Sequence, residues 1–298
     1  MSEPSERSGV LTIGAAGLEA TFAPEVGMLG TSLRFGGEEL LDLSGGIARY
    51  EQGHQTGLPL LAPWANRLGG RRYEIDGVVV DLDGLELGTD PNGLPIHGTM
   101  TAQRGWAVVA SSASALRARF DYGARPDLLA AFPFPHDLLV DVAVDTDTLR
   151  VATTVVPTGD RAVPVCFGWH PYLRLPGAPR REWRLVLPAC EHLELDDRSL
   201  PTGGSTPQAA EAEPVGDRTF DDLYALGDDR VLAIEGGDLR VAVAYDDGYP
   251  FAQVYAPPAA ELVCLEPMTA PTNALGSGAA PLVPPGDSFT ARFSITVS

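Results

Sequence analysis

Apolar and polar residues alternate with a period of two along most of the chain. In residues 116–122, the apolar positions Leu116, Ala118, Phe120 and Tyr122 alternate with charged ones. The same period recurs in residues 18–22, 138–144, 149–155, 239–245 and 289–297. A period of two is that of a β-strand with one buried face. The pattern therefore predicts a chain that is mostly β.

One dipeptide predicts a hairpin. Asp76-Gly77 separates the β-prone residues 73–75 from residues 78–80. Asp-Gly tolerates the positive φ angles that both central positions of a type I′ turn require. We therefore expect residues 73–80 to form a β-hairpin.

Helical patterning is sparse. The best candidate is a short helical turn at Phe220–Leu226, with a weaker one at residues 209–213. No glycine-rich phosphate loop follows a strand and opens a helix, which disfavours a dinucleotide-binding fold. Residues 200–214 are rich in Pro, Gly, Ser and Thr and are predicted to be an exposed loop, since strand patterning resumes after them. The fold class expected is all-β, a large antiparallel β-sandwich, in one domain over residues 1–298 with residues 1–9 as a flexible tail.

Net charge and cysteine content limit the kinds of partner that we expect the protein to bind and the compartment in which we expect it. The 298 residues carry 21 Lys and Arg against 40 Asp and Glu, a net charge of −19. Binding to nucleic acid or to an anionic membrane requires a basic face, so neither is expected. Cys166, Cys190 and Cys264 are an odd number at wide spacing, which indicates free thiols rather than disulfides or a zinc site. With no apolar leader and no membrane-length apolar run, we expect a cytoplasmic protein, monomeric or homodimeric.

The main candidate for chemistry is His170, in the segment Cys-Phe-Gly-Trp-His-Pro-Tyr of residues 166–172. A histidine exchanges protons near neutral pH, and its aromatic neighbours can shield a site or stack on a ligand. By itself such a residue is more often a half-buried core histidine. Glu266 ends the apolar run of residues 262–265, where desolvation would raise its pKa and suit it to general-base catalysis. The alternative for Glu266 is a strand-end carboxylate facing water.

Further polar groups stand where strand patterning breaks. Asn66 and Arg67 close the segment Pro-Trp-Ala-Asn-Arg, and the arginine offers a fork of donors to an oxygen-rich ligand or a surface ion pair. His97 precedes Gly98 in a loop where glycine permits close approach of a ligand. Asp221 and Asp222 lie in an aromatic frame, and one of them can instead cap a helix. His54 can lie behind the site, whereas His136 and His192 are expected to be exposed.

Taken in order, these segments resemble the aldose 1-epimerase (galactose mutarotase) family. The resemblance rests on residues 24–29 (PEVGML), 63–67 (PWANR), 96–98 (IHG), 132–140 (FPFPHDLLV), 168–173 (GWHPYL) and 265–275 (LEPMTAPTNAL). It covers the chain from about Gly17 onward, and so many ordered segments are unlikely to coincide by chance. One departure is Met268, where many members have glutamine after the Glu-Pro pair.

The resemblance implies a supersandwich of antiparallel sheets that binds a small sugar, with no metal and no organic cofactor. His170 would be the general acid at the ring oxygen and Glu266 the general base on the anomeric hydroxyl, on opposite sides. Arg67, His97, Asn66 and Asp221 would bind the sugar. The activity implied is the interconversion of the α and β anomers of an aldohexose.

Other functions stay open on the sequence. A non-catalytic sugar-binding or regulatory protein would keep Arg67 and the aromatic residues without needing both His170 and Glu266. A metal enzyme could use His97, His170 and a carboxylate as a facial triad. Two-carboxylate glycoside hydrolysis through Glu266 and Asp221 is weaker. Within the family, Arg71 and Arg72 raise the alternative of a hexose 6-phosphate substrate, and the identity of the sugar is open.

Overall fold

The computed structural model describes residues 9–298, and these fold into antiparallel sheets with few helical turns. The strands are β1 (Leu11–Ala15), β2 (Leu18–Ala23), β3 (Leu29–Phe35), β4 (Glu38–Glu39), β5 (Leu60–Leu61), β6 (Arg72–Ile75), β7 (Val78–Asp81), β8 (Ala107–Ser111), β9 (Ala115–Asp121), β10 (His136–Val144), β11 (Thr148–Pro157), β12 (Val163–Pro164) and β13 (Gly168–Trp169). They continue as β14 (Tyr172–Leu173), β15 (Arg184–Leu187), β16 (Cys190–Leu195), β17 (Pro201–Gln208), β18 (Glu211–Pro214), β19 (Phe220–Leu226), β20 (Val231–Gly236), β21 (Leu239–Asp247), β22 (Phe251–Ala256), β23 (Val263–Met268), β24 (Leu282–Val283) and β25 (Phe289–Val297). The helices are α1 (Gly46–Tyr50), α2 (Pro126–Leu129) and α3 (Ala274–Ser277), with 3₁₀ turns at Pro24–Val26 and Arg180–Glu182.

Two large sheets dominate the architecture. One has nine strands in the order β18-β15-β20-β21-β25-β11-β10-β9-β8. The other runs β17-β16-β19-β22-β23-β13-β5, with β14 also paired to β23. A four-stranded sheet, β1-β2-β3-β4, and the pairs β6-β7 and β12-β24 complete the fold. This is a large antiparallel β-sandwich, as expected.

The core lies where the two large sheets face each other. Trp169 of β13 is fully buried, and its ring lies 6.0 Å from that of Phe293 in β25. Its indole N–H donates to the hydroxyl of Thr153 in β11 at 2.9 Å, which satisfies the one polar atom of a buried tryptophan. When two sheets pack face to face, every second residue of a strand points inward and is buried. The ends of the sheets stay free for a site.

The alternating segments lie in the strands predicted for them. Residues 138, 140, 142 and 144 are buried in β10, and residues 149, 151, 153 and 155 are buried in β11, while the residues between them are more exposed. The predicted hairpin is β6-β7, with Ile75 opposite Val78. Asp76 and Gly77 have φ angles of 49° and 71°, so both central residues of the turn lie in the left-handed region. Local pattern and turn chemistry thus specify these elements.

Several local predictions are wrong. Phe220–Leu226 is strand β19 rather than a helical turn, because its backbone pairs with β16 and β22 on either side. Residues 200–214 form strands β17 and β18 instead of a loop, although most of their side chains are exposed. The weak helix at residues 209–213 falls partly within β18. Pairing with neighbouring strands overrides the local preference of Pro, Gly, Ser and Thr for turns.

Two histidines differ from expectation in their surroundings. His136 is buried, its Nδ1 lies 2.7 Å from the carbonyl oxygen of Phe134, and its ring stacks on Tyr122. His192 is partly exposed and pairs with Asp222 at 2.9 Å. Of the tail expected at residues 1–9, only Gly9 is among the described residues. None of the helices formed by residues 9–298 has the length and apolar character of a membrane-spanning segment.

Candidate active site

One face of the eight-stranded sheet gathers the acidic groups. Glu266 in β23 lies directly opposite Gln253 in β22, and Asp221 in β19 lies opposite Tyr255 in β22. Since side chains two apart on a strand share a face, these four residues project to the same side. Asp222, one position further, projects to the other side. The alternation therefore separates the two neighbouring aspartates.

His170 and Glu266 form a buried pair on this face. His170 Nε2 lies 3.2 Å from Glu266 Oε1, and their side chains are only 6% and 1% exposed. The segment between β13 and β14 holds His170, whose backbone N–H donates to the carbonyl oxygen of Pro59 at 3.1 Å. Tyr172 stacks on the imidazole with ring centroids 4.3 Å apart. The imidazole is thereby fixed in position against the carboxyl group.

Two loops supply the remaining groups by packing on each other. The backbone N–H of His97 donates to the carbonyl oxygen of Asn66 at 3.0 Å, and that of Leu68 donates to Pro95 at 2.9 Å. Asn66 and His97 both have left-handed backbones, with φ angles of 54° and 62°. Such conformations cost free energy for residues other than glycine and persist where the surroundings fix them. They turn both side chains toward the sheet.

Arg67 is held by two carboxylates. Its Nε–H donates to Asp90 Oδ2 at 2.9 Å, and its Nη2 donates to Asp221 Oδ2 at 3.0 Å. Asp221 in turn accepts a hydrogen bond from Gln253 Nε2 at 2.7 Å. The arginine side chain is 12% exposed, and the two carboxylates orient its planar fork before any ligand arrives.

These groups surround one cavity of about 260 Å³, here called the site cavity. All six residues predicted from the sequence to form the site line it: Asn66, Arg67, His97, His170, Asp221 and Glu266. Tyr172, Tyr255 and Asp90 complete much of the wall, and His54 stands at the exposed end. Six residues spread over 200 positions of sequence therefore meet in one place.

Burial controls the proton equilibria of the site. Burial raises the pKa of Glu266 well above its ordinary value; the negative charge of Asp221 raises it further, and Arg67 opposes the shift. Burial lowers the pKa of His170 well below its ordinary value, with the neighbouring His97 acting in the same direction. The pKa of His97 falls to about 3, chiefly through burial and then through the charge of Arg67. Both histidines are consequently neutral at pH 7.

Three residues important to the site were missed by the sequence reasoning. In the sequence, Asp90 looks like the first residue of an Asp-Pro-Asn-Gly turn. One of its oxygens does accept hydrogen bonds from the backbone N–H groups of Asn92 and Leu94, as in such a turn. Its other oxygen accepts a hydrogen bond from Arg67. Gln253 and Tyr255 lie in an apolar run. The signal for Gln253 was a single amide inside a strand that is otherwise apolar, since a buried polar group requires a partner.

The aromatic residues divide between core and site. Trp64 and Trp169 are 1% and 0% exposed and do not line the site cavity, so they belong to the core. Met268 is also fully buried, against Leu61 and Ala65. The methionine that replaces the glutamine of many family members thus packs against these residues and does not line the site cavity.

The side chains do not form the facial triad considered from the sequence. Within residues 9–298, no group of three His, Cys, Asp or Glu side chains is placed to hold a metal ion. Cys166 and Cys264 are buried free thiols, and Cys190 is a partly exposed one.

Comparison with known proteins identifies the family. The family model described as aldose 1-epimerase matches residues 10–296. The chain belongs to the aldose 1-epimerase family. No curated protein sequence matches the chain significantly.

Solved structures share the fold of this aldose 1-epimerase family member at low sequence identity. A galactose mutarotase-like protein from Clostridium acetobutylicum superposes with a TM-score of 0.85 at 19% identity, covering 97% of this chain and 95% of the other. An aldose epimerase homologue from C. elegans gives a TM-score of 0.82 at 18% identity, covering 98% and 99%. A galactose 1-epimerase from Lactobacillus acidophilus gives 0.77 at 15% identity, covering 99% and 97%. At these identities the likeness establishes the fold.

Proposed function

We propose that this protein is an aldose 1-epimerase that interconverts the α and β anomers of a neutral aldohexose. The observation that carries the proposal is the His170 and Glu266 pair, 3.2 Å apart and buried in the wall of a polar cavity. Anomer exchange needs one proton removed from the hydroxyl at C1 and one delivered to the ring oxygen. The two groups are adjacent, not on opposite sides as expected from the sequence. Because the two oxygens are bonded to the same carbon, adjacent catalytic groups can reach both.

The chemical step conserves atoms and charge. The Glu266 carboxylate takes the proton from the C1 hydroxyl, the C1–O5 bond breaks as the C1 carbonyl forms, and His170 delivers a proton to O5. The open aldehyde rotates about the C1–C2 bond, and the reverse transfers close the ring on the other face of the carbonyl. Each such transfer contributes about 10² to 10⁴ in rate.

The His170 and Glu266 pair carries one shared proton at every stage of this cycle. The pKa of Glu266 is raised and that of His170 is lowered by burial, so at rest the proton lies on the carboxyl group and both residues are neutral. The reactive state carries that proton on His170 instead. Because the two groups are in contact, the shift between these forms is internal to the pair and requires no exchange with solvent.

Arg67 and neutral His97 are assigned to binding the sugar and stabilising the open form. Both residues line the site cavity, and Asp221 and Asn66 offer further polar contacts. Donors fixed in advance stabilise developing charge without reorganisation. Tyr172 and Tyr255 are the aromatic surfaces available to the apolar side of a pyranose.

The surroundings favour a neutral sugar over a hexose 6-phosphate. Arg67 is already paired with two aspartates. Arg71 donates to the carbonyl oxygens of Leu82 and Leu85 and, like Arg72, does not line the site cavity. Among residues 9–298, the one arginine that lines the site cavity is Arg67, so a phosphate would meet an acidic cavity whose arginine is already paired with carboxylates.

A cytoplasmic location is part of this proposal. Its support is the cysteine content, since Cys166, Cys190 and Cys264 are all free thiols. Such usage is typical of a reducing compartment.

The test is the loss of mutarotation in two variants. We expect Glu266→Gln and His170→Asn each to lower kcat by at least about 10², measured by polarimetry on freshly dissolved α-glucose and α-galactose. Both variants are expected to keep the circular dichroism spectrum of the parent. His192→Asn, a substitution on the opposite face of the sheet, is the matched control and should retain full activity. Rates near those of the parent in either site variant would refute the assignment, whereas sugar binding without turnover in the parent protein would favour a non-catalytic role.

A further inference from the structure

Tyr172 packs face to face against the imidazole of His170. The two ring centroids are 4.3 Å apart, and the ring planes differ by only 6°. Tyr172 lies in β14, where it pairs with Cys264 of β23, two positions before Glu266. The pairing of these strands therefore fixes the tyrosine relative to both members of the catalytic pair.

The stacking places the tyrosine hydroxyl over the imidazole rather than in its plane. Tyr172 Oη lies 3.3 Å from His170 Nε2. Because the rings are nearly parallel, this oxygen lies above the imidazole plane, whereas the N–H bond of an imidazole lies within that plane and prefers an acceptor in line with it. The ring face, rather than the hydroxyl group, is thus the main contact of Tyr172 with His170.

The other rings around His170 meet it at steep angles. His97 lies 5.7 Å away with an angle of 73° between the ring planes, and Tyr255 lies 5.9 Å away with an angle of 78°. Among residues 9–298, Tyr172 is the one ring that stacks parallel on His170.

The reactive state places a positive charge on the buried His170. Burial opposes this charge and lowers the pKa of His170, and His97 acts in the same direction. Glu266 supplies a counter-charge at 3.2 Å, while Arg67 in the same cavity wall is paired with two aspartates. A group that attracts the charged imidazole more strongly than the neutral one would favour the reactive state over the resting state.

The face of a phenol ring is such a group. Its negative potential attracts a cation placed over the ring within about 6 Å of the centroid, and the attraction is stronger where water is excluded. His170 meets both conditions, since its side chain is 6% exposed and its ring lies 4.3 Å from that of Tyr172. The face of Tyr172 that covers the imidazole is not available to a sugar.

We propose that Tyr172 is a positioning residue that stabilises the protonated form of His170 by presenting its ring face to the imidazolium. This rests on the proposed epimerase function. Tyr172 takes no proton itself, and it acts on the proton equilibrium between His170 and Glu266 rather than on the sugar. Its removal should therefore lower kcat and leave KM nearly unchanged.

The experiment varies the charge distribution of the ring while keeping its shape. Tyr172 is replaced by phenylalanine and then by 4-fluoro-, 3,5-difluoro- and pentafluorophenylalanine. Fluorine withdraws electron density from the face of the ring, so each step weakens its attraction for a cation. Polarimetry on freshly dissolved α-glucose gives kcat and KM for each variant.

We expect kcat to follow the fluorine content. Tyr172→Phe should lower kcat by less than about threefold, as for the loss of one weak hydrogen bond. The pentafluoro variant should fall at least about tenfold below Tyr172→Phe, with intermediate values between them, because a desolvated contact of this kind is lost. Tyr172→Leu, which removes the ring, should also lose at least about tenfold in kcat, while KM stays within about twofold throughout the series.

The same series at position 224 is the matched control. Tyr224 also stacks on a histidine, His192, with ring centroids 4.9 Å apart, and it does not line the site cavity. Fluorination there should leave kcat and KM at the parent values. Urea unfolding of both series shows whether each variant is folded under the assay conditions.

Four outcomes would overturn the proposal. The first is a kcat that does not vary with fluorine content at position 172, and the second is an equal fall at position 224. A change confined to KM would place Tyr172 in sugar binding alone, and a loss already complete in Tyr172→Phe would assign the effect to the hydroxyl group. Absence of turnover in the parent protein is a separate result, since it would refute the epimerase function and this inference with it.

Discussion

Individual residues in the site have environments that the sequence alone would not suggest. Glu266 is a carboxyl group on a fully buried strand, with one oxygen against His170 and the other without a hydrogen-bond partner among residues 9–298. Burial of a carboxylate is costly, so the proton rests on this group until it passes to His170 in the reactive state. The same residue in a charge run on the surface would be ionised and a weaker base.

Asp90 affects the site by orienting Arg67. One of its oxygens organises the loop that carries His97, and the other orients Arg67. In Asp90→Asn the side-chain oxygen can keep the loop contacts, while the amide group cannot accept from Arg67 Nε. Since a hydrogen bond to a charged group contributes about 1.5–3 kcal/mol, we expect kcat/KM for glucose to fall by roughly tenfold or more.

The control for Asp90→Asn is Asp222→Asn. Asp222 also binds a side chain, His192, but on the other face of the sheet. Steady-state mutarotation kinetics should show a rise in KM for Asp90→Asn and parent values for Asp222→Asn. An unchanged KM in Asp90→Asn, with the fold intact, would show that Asp221 alone orients Arg67.

At the scale of elements, the site depends on two loops that meet edge to edge. Ala62 and Gly98 pair as an isolated parallel bridge, and Arg67 pairs with Ile96. Gly98 has a φ angle of 66°, and a Cβ built there would collide with the carbonyl oxygen of Ala62. Glycine is needed at this position both for the backbone conformation and for the close approach of the loops.

Gly98→Ala should therefore be strongly destabilising. We expect a loss of about 3 kcal/mol or more in the free energy of unfolding, since the left-handed conformation and the collision both contribute. Urea unfolding followed by tryptophan fluorescence measures it. Gly93→Ala is the control, because Gly93 has a φ angle of 78° with open space around its Cβ. Gly93→Ala should lower the free energy of unfolding by only about 1–2 kcal/mol. Equal losses in the two variants would show that the close contact between the loops does not contribute to stability.

At the scale of the whole molecule, buried neutral histidines couple stability to pH. Burial lowers the pKa of His136 to about 4, against 6.5 for an exposed histidine, with the contact to Phe134 opposing the shift. Above pH 6.5 His136 is neutral in both the folded and the unfolded chain. As the pH falls from 6.5 toward 4, the unfolded chain binds a proton at this residue that the folded chain does not, so stability is lost.

His136→Phe tests this coupling. The variant keeps an aromatic ring against Tyr122 and removes the titrating group, at the cost of the contact with Phe134. We expect the fall in unfolding free energy between pH 6.5 and 4.5 to be smaller than in the parent by roughly 2 kcal/mol, at up to about 1.4 kcal/mol per pH unit. Urea titrations at each pH measure the difference. Parallel curves for parent and variant would contradict the buried, neutral state of His136.

The sequence by itself determined the class of fold, the hairpin at Asp76-Gly77 and the six residues that line the site cavity. It did so because side-chain alternation and turn chemistry are local properties, and because ordered motifs such as residues 168–173 and 265–275 are specific. Only the tertiary structure decided that Phe220–Leu226 is a strand, that Asp221 and Asp222 therefore project to opposite faces of the sheet, and that His170 and Glu266 touch. Those outcomes depend on strand register and on pairing between segments distant in the chain, which no local pattern encodes.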